Sequence, residues 1–205
     1  MAWIQIWRSI RCSFGFCMFK KEHDMKKYDF QIFEEVDNLK EATLVGRSKR
    51  VAFMDVGDAE TSKFVRMQGF TSMSEQKSPT EYSRRYVDED TERSDVTGYA
   101  TAQAFSFDRY SPFSVHKKLA DIIDGEKLGS DTHVDIVVVD LFSTGEAKVA
   151  RKRTYAVIPD TTGDGTDALI YSGTFRAASA IEEGTASSND GWQTITYTPP
   201  VTDQV

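Results

Sequence analysis

Apolar and polar residues alternate with a period of two over most of the chain after Met25, which is the pattern of half-buried β-strands. Two runs rich in β-branched and aromatic residues, 50–57 and 63–70, are bounded by glycine or by charge. The run HVDIVVVDLF (133–142) is almost continuously apolar and predicts a central strand. Three later runs also predict strands: 148–159, 168–177 and 192–198. Because strands follow strands through short turns, the pattern predicts a β-sandwich or a β-barrel.

The run GYATAQAFSFD (98–108) alternates cleanly and separates large from small side chains. One predicted face carries Tyr99, Thr101, Gln103, Phe105 and Phe107, and the other carries Ala100, Ala102, Ala104 and Ser106. A face of such small side chains indicates close approach by another layer or another subunit. It equally fits a strand that lies beneath a helix.

One helix interrupts the strands. Val115, Leu119, Ile122 and Ile123 recur at helical spacing, which predicts a helix over about residues 114–124. Ser111-Pro112 or Ser114 can begin this helix and Gly125 can end it.

Residues 71–96 are polar with weak periodicity and predict a long loop between two strands. Structureless segments of this length are uncommon in compact domains and are usually functional or disordered. Their mixture of basic and acidic residues does not suit a nucleic-acid arm, but it suits a segment that pairs with charges on a partner. The alternative is a solvated, flexible loop. We predict a subunit contact made by Arg84, Arg85, Tyr86, Asp88, Glu89 and Arg93.

The stretch VIPDTTGDGTDALIY (157–171) places three aspartates and two glycines within residues 160–167. On a twelve-residue calcium loop, Asp160, Asp164 and Gly165 would take the first, fifth and sixth positions, but the twelfth would be Tyr171 instead of a bidentate acid. A hairpin turn explains the same residues, because glycine adopts positive φ and aspartate side chains accept from nearby backbone N–H groups. We therefore predict a hairpin without an obligate metal.

Candidate chemistry is sparse. The sequence has no G-x-S-x-G, P-loop, G-x-G-x-x-G or H-E-x-x-H motif. After Met25 there is no cysteine, and His116 and His133 are the only histidines, so we expect no zinc site and structural roles for both. We predict no enzyme activity, no catalytic residues, no cofactor and no metal.

Charge and hydropathy exclude further classes of protein. The 25 basic and 32 acidic residues give a net charge of −7, which disfavours tight binding to nucleic-acid phosphates. No apolar run approaches the roughly 20 residues that span a bilayer, so we expect no membrane partner.

The first 24 residues differ from the rest, because they hold both cysteines and two of the three tryptophans. Arg8 and Arg11 interrupt the apolar stretch, so the pattern of a signal peptide is poor. The codons for Lys21-Glu22 can read AAGGAG, a ribosome-binding signal at a normal distance from Met25. We expect residues 1–24 to be a leader upstream of the natural start, or disordered, and residues 25–205 to form a single domain.

Three longer phrases carry a resemblance to a known family. They run from RMQGFTSM to AFSFDRY (66–110), from VHKKLADII to EKLG (115–129) and from YAVIPDTTGDG to IEEGTA (155–186). The most specific parts are EYSRRYVDE followed by DVTGY, and IPDTTGDGTDAL. In this order, over about residues 26–200, the chain resembles the major tail tube proteins of long-tailed phages and prophages of Gram-positive bacteria. The leader lies outside the resemblance.

The resemblance implies a tail-tube-type β-sandwich or barrel with one flanking helix. It also implies a structural protein of the virion, in which six copies form a ring and rings stack into the hollow tail tube, a conduit for DNA delivery. The partners implied are the chain itself, the tail terminator, distal tail and tape-measure proteins, with DNA passing the lumen without specific binding. The location implied is the virion tail, after assembly in the host cytoplasm.

Two alternatives remain open at this stage. The tube of a contractile tail or of a phage-derived bacteriocin would share the architecture. A monomeric β-sandwich binding module would instead need an aromatic platform, for which the sequence offers little beyond Trp192 and Tyr197.

Overall fold

A computed structural model of the chain describes residues 43–58, 61–163 and 166–200. The described residues belong almost wholly to one compact unit, Val45–Val205. The predicted leader 1–24 and the predicted start at Met25 lie outside the described residues.

The described residues form eleven strands and one α-helix. The helix, α1, spans Ser114–Ile123. The strands are β1 (Arg50–Asp55), β2 (Phe64–Arg66), β3 (Phe70–Gln76), β4 (Pro79–Arg84), β5 (Arg93–Tyr99), β6 (Ala102–Asp108), β7 (His133–Asp140), β8 (Lys148–Thr162), β9 (Ile170–Ala177), β10 (Glu182–Ser187) and β11 (Thr194–Thr198).

Six of the strands close into a barrel in the order β10-β11-β2-β1-β7-β8, because β8 also pairs with β10. The 15 residues of β8 allow this double pairing. Its first part, Lys148–Lys152, pairs with β10, and its later part from Tyr155 onward pairs with β9. Beyond β9 the sheet continues through β6 to β3. The predicted fold class is confirmed: the chain is mainly β, with a barrel, additional strands and a helix.

Two apolar cores lie on opposite faces of β1 and β7. Phe53 and Val137 belong to the first core, inside the barrel. Met54 and Ile136 are adjacent to these residues on the same strands and therefore face the other way. They belong to a second core that α1 and the strands β6, β8 and β9 enclose. Because both faces of β7 are covered, its sequence is almost continuously apolar, and the predicted central strand is confirmed.

The helix α1 packs its apolar side against the aromatic face of β6 and β9, where Leu119 and Phe107 are both fully buried. The predicted helix over about 114–124 is confirmed. Gly125 follows it because a Cβ there would lie 2.7 Å from the carbonyl oxygen of Asp121. The helix therefore lies beneath the large side chains of β6, and the small side chains of that strand face outward.

The predicted long loop at 71–96 is wrong in detail. Strand β3 extends to Gln76, and β4 and β5 form a separate two-stranded sheet with a tip at residues 85–92. The prediction missed this hairpin because neither of its faces is covered, so its side chains show little of the apolar alternation that burial imposes.

The predicted hairpin at 160–167 is confirmed, since β8 and β9 are antiparallel neighbours and the Gly163 N–H donates to the Ile170 carbonyl at 2.8 Å. Strand β10 was not predicted.

Candidate subunit interface

The β4–β5 hairpin, Pro79–Tyr99, buries none of its side chains. Only Glu89 and Gly98 in this segment are even half-buried. An isolated two-stranded hairpin is at best marginally stable in water, because it has no apolar face to bury. The hairpin is therefore the described surface with the strongest physical reason to find a partner.

All six residues predicted to make a subunit contact lie at the outer end of this hairpin. Arg84 ends β4 and is paired in register with Arg93, which begins β5. The other four residues lie between them in the tip: Arg85, Tyr86, Asp88 and Glu89. The structure thus brings the predicted residues together, although the sequence alone could not show that they lie at the end of a two-stranded hairpin.

Some of the charges in the tip are already paired within the hairpin. The Arg93 guanidinium binds the Glu89 carboxylate through two hydrogen bonds, one of them 2.8 Å from Nε to Oε2. Its centre also lies 5.9 Å from the centroid of the Tyr86 ring. Arg85 approaches Asp90 only to 3.9 Å. Because these groups are largely exposed, each such pair contributes only about 0–1 kcal/mol.

Three charged residues at the end of the hairpin remain without an opposite charge among the described residues, namely Arg84, Asp88 and Glu92. Arg84 donates only to the Tyr82 hydroxyl, at 3.1 Å. Its register places it opposite Arg93, and like charges directly opposite each other destabilise a strand pair. This arrangement favours an external acidic group near Arg84.

The sequence prediction missed the apolar part of the same surface. Val96 and Tyr99 are more than half exposed, and Val87 is fully exposed at the tip. Val96 lies opposite Glu81 and Tyr99 lies opposite Pro79, so both residues belong to one face of the ribbon. Their spacing shows no period of two, so the only signal that could have indicated these strands is the presence of β-branched and aromatic residues in PTEYSR and RSDVTGY. Large apolar groups exposed on a ribbon are typical of a contact surface.

A second outward surface is made of small side chains. It covers the outer face of β3, β6 and β9, where Ser74 lies opposite Ala104 and Ala104 lies opposite Thr174. We call this the small-residue surface; its members are Ser72, Ser74, Ala102, Ala104, Ser106, Ser172 and Thr174. None of them extends far from the sheet, so another backbone can approach closely.

His116 of α1 has a structural place in the second core. It is fully buried, its Nδ1 accepts from the Tyr110 backbone N–H at 3.1 Å, and its Nε2 lies 2.7 Å from the Gln68 carbonyl oxygen. The proton must therefore reside on Nε2. Burial lowers the pKa of this imidazole, so it stays neutral. His133 is exposed at the start of β7.

Asp140 is the most buried carboxylate of the described residues. Its side chain is 4% exposed and accepts from Arg50 at 2.6 and 3.1 Å and from Arg151 at 2.9 Å. The hydrogen bond from Arg50 is the main reason that the pKa of Asp140 lies below its usual range, against the opposing effect of burial. Both arginines hold this carboxylate ionised, which suits a structural ion cluster and not a proton-transfer group.

No group of three or more potential metal ligands occurs within residues 43–58, 61–163 and 166–200. In the same ranges, no helix is long and apolar enough to cross a membrane.

Comparisons with known proteins identify the fold. No family model and no curated protein sequence matches the chain. Among solved structures, the SPP1 tail tube, determined by solid-state NMR and cryo-electron microscopy, is similar with a TM-score of 0.51 and 13% identity, over 71% of this chain and 81% of that chain.

Two weaker similarities are to an extracellular contractile injection system in its extended state. Its sheath/tube terminator gives a TM-score of 0.47 at 12% identity, over 69% of this chain and 97% of that chain. Its sheath–tube complex gives 0.46 at 12% identity, over 73% and 97%. The fold assignment rests on the SPP1 structure: the chain has the fold of a tail tube protein.

Proposed function

We propose that this chain is the building block of a phage tail tube, in which six copies form a ring and rings stack into a hollow conduit for DNA. The observation that carries the proposal is the β4–β5 hairpin, which projects from a fold shared with a tail tube and buries nothing of its own.

The charge of the chain fits a conduit. A tube that passes DNA must not hold it, and duplex DNA carries one phosphate charge per ~1.7 Å of helix axis. A subunit with a net charge of −7 offers little to displace the counterions of that DNA. Partners at the tube ends would be the tail terminator, distal tail and tape-measure proteins, and the finished tube would be part of the virion.

The hairpin is the proposed main contact between subunits, through Arg84, Arg85, Tyr86, Asp88, Glu89 and Arg93. Exposed ion pairs contribute little, but a pair that loses water at an interface matters more, because removing one partner leaves the other buried and uncompensated. The small-residue surface is proposed as a second place of close packing between subunits.

Electron microscopy of the purified protein tests the proposal. We expect the wild type to form tubes of stacked rings, and the double variant Arg84→Glu/Arg85→Glu to stay folded by circular dichroism but form none. The matched control is Lys117→Glu/Lys127→Glu, which makes the same change of charge at two exposed residues outside the hairpin and should assemble. A wild type that remains monomeric at all concentrations would refute the proposal. Tubes from the hairpin variant would remove this segment from the interface.

A further inference from the structure

A cleft between β1 and β3 lies on the surface of the described unit. It consists of two adjoining cavities of about 430 and 280 Å³ that share Arg47, Arg50, Ala52 and Met73 in their walls. The space exists because β3 is the last strand of the nine-stranded sheet, so no other strand of the described residues lies between it and β1. Arg66 of β2 also lines it, and we call it the arginine cleft.

The arginine cleft is positively charged in a protein that is negative as a whole. Three arginines line it, and the one acidic side chain in its walls, Glu75, accepts from Lys77 at 2.5 Å. Arg50 is held in place by the buried Asp140, and the Arg47 Nη1 donates to the Arg50 carbonyl at 2.7 Å. The Arg50 guanidinium is therefore already occupied by Asp140. Arg47 and Arg66 are the two guanidinium groups of the cleft that can still bind carboxylates, which such groups do in a bidentate way.

The tip of the hairpin carries the complementary charge. Four of the five residues 88–92, DEDTE, are acidic. Only Glu89 is closely paired, with Arg93, while Asp90 lies a loose 3.9 Å from Arg85. Asp88 and Glu92 have no basic partner among the described residues, so at least three carboxylates are available to another surface.

The tip of one copy does not occupy its own cleft, because none of the hairpin is buried. The six residues of β4, Pro79–Arg84, extend about 20 Å before the tip begins, at roughly 3.3 Å per residue. A second copy is therefore the occupant that this chain itself supplies. Because tip and cleft are different surfaces, their contact is head-to-tail, the kind that closes into rings or propagates into filaments.

We propose that the acidic hairpin tip of one subunit, residues 88–92, docks in the arginine cleft of another, where Arg47 and Arg66 bind its carboxylates. This inference rests on the proposed function, since it needs copies that assemble. It names the surface that receives the hairpin, which neither the fold nor the exposure of the hairpin identifies by itself.

Charge exchange between the two surfaces tests the docking. One variant reverses the tip (Asp88→Lys/Asp90→Lys/Glu92→Lys), a second reverses the cleft (Arg47→Glu/Arg66→Glu), and a third carries both sets. Arg50 is left unchanged because it also stabilises Asp140. Control variants reverse exposed charges elsewhere: Asp121, Glu126 and Asp131 to lysine for the tip, and Lys117 and Lys127 to glutamate for the cleft.

The concentration needed for tubes, followed by sedimentation and electron microscopy, is the readout. We expect the tip reversal and the cleft reversal each to raise this concentration by at least about tenfold, as for the loss of a desolvated charge pair. The variant that carries both reversals should form tubes at the wild-type concentration. The control variants should also leave this concentration unchanged. Circular dichroism must show all variants folded.

Other outcomes would overturn the docking. Normal tubes from the tip-reversed or the cleft-reversed protein would overturn the docking but not the proposed function. The same holds if the variant with both reversals still needs a higher concentration than the wild type to form tubes. Residues 34–41, EEVDNLKE, are a second acidic segment of the chain. If Glu34→Lys/Glu35→Lys raised the concentration needed for tubes as much as the cleft reversal does, and the tip reversal did not raise it, the cleft would bind this segment and not the tip. A wild type that never assembles would refute both proposals.

Discussion

The barrel with its helix and the β4–β5 hairpin are stabilised in different ways. In the barrel and the sheet around α1, large side chains such as Phe53, Phe107 and Leu119 are fully buried. In the hairpin no side chain is buried. Ordering a residue costs about 1–2 kcal/mol of backbone entropy, and only burial or pairing offsets that cost. The first region therefore determines whether the domain folds, and the second is free to serve assembly.

Replacing a large core side chain should show this difference most strongly. Phe107 is fully buried, with ring centroids of Phe70 and Tyr171 at 5.1 and 5.3 Å. We expect Phe107→Ala to lower the free energy of unfolding by about 3–5 kcal/mol, because it leaves a cavity in the second core. Tyr99→Ala, in the hairpin, should change it by no more than about 0.5 kcal/mol. Urea denaturation measures both, and a large loss for Tyr99→Ala would mean that the hairpin packs on the domain.

The next largest difference is expected in how much an ion pair of each region contributes to the free energy of unfolding. Asp140→Asn leaves two arginines facing a neutral group, and we expect a loss of about 2 kcal/mol, less than for fully buried pairs because both arginines are partly exposed. Glu89→Gln in the hairpin should cost at most about 0.5 kcal/mol.

The pH dependence of unfolding sharpens the same test. Since the folded-state pKa of Asp140 is lowered, its stabilisation is present above the unfolded pKa, near 3.9, and is lost as the pH falls through the folded value. Asp140→Asn should therefore weaken the acid dependence of stability. An acid dependence that this substitution leaves unchanged would contradict the role given to the ion cluster.

A smaller effect is expected from His116 at mildly acidic pH. Burial lowers the pKa of its imidazole, so the unfolded chain binds the proton more tightly. Stability should be highest above about 6.5 and should decrease as the pH falls through the folded pKa, because Nδ1 can no longer accept from Tyr110. His116→Gln should flatten this part of the profile. Thermal melts from pH 8 to 5 would show whether this holds.

The turn between β8 and β9 should give no effect with calcium. A ligand at 100 times its Kd adds ~2.7 kcal/mol of stability, which a thermal melt detects easily. We expect no shift of Tm on calcium titration, because the hairpin explains the aspartates and glycines of residues 160–167. A saturable rise in Tm that Asp164→Ala abolishes would prove this interpretation wrong.

The sequence predicted elements in proportion to how strongly burial constrains them. The apolar run of β7 and the spacing of Val115, Leu119 and Ile122 in α1 reflect covered faces, and both elements were found where expected. Strand β10, EEGTAS, was missed because it buries only Ala186 and shows no apolar alternation. The hairpin was taken for a loop for the same physical reason.

The candidate interface could be predicted only in part. The contact residues 84–93 are adjacent in sequence, so their charge composition was visible. The arginine cleft was not, because Arg47, Arg66 and Glu75 are distant in sequence and line adjoining cavities only in the folded chain. Such a site depends on the tertiary fold and leaves no local pattern.

Removing the hairpin tests the central claim most directly. Ser78 and Ala100 are joined by a backbone hydrogen bond of 3.0 Å, so residues 79–99 can be replaced by two glycines with little strain. Analytical ultracentrifugation and a thermal melt of this variant beside the wild type give both readouts. We predict tubes from the wild type, and from the variant a monomer whose Tm is unchanged. Tubes from the variant, or a variant that no longer folds, would contradict the account.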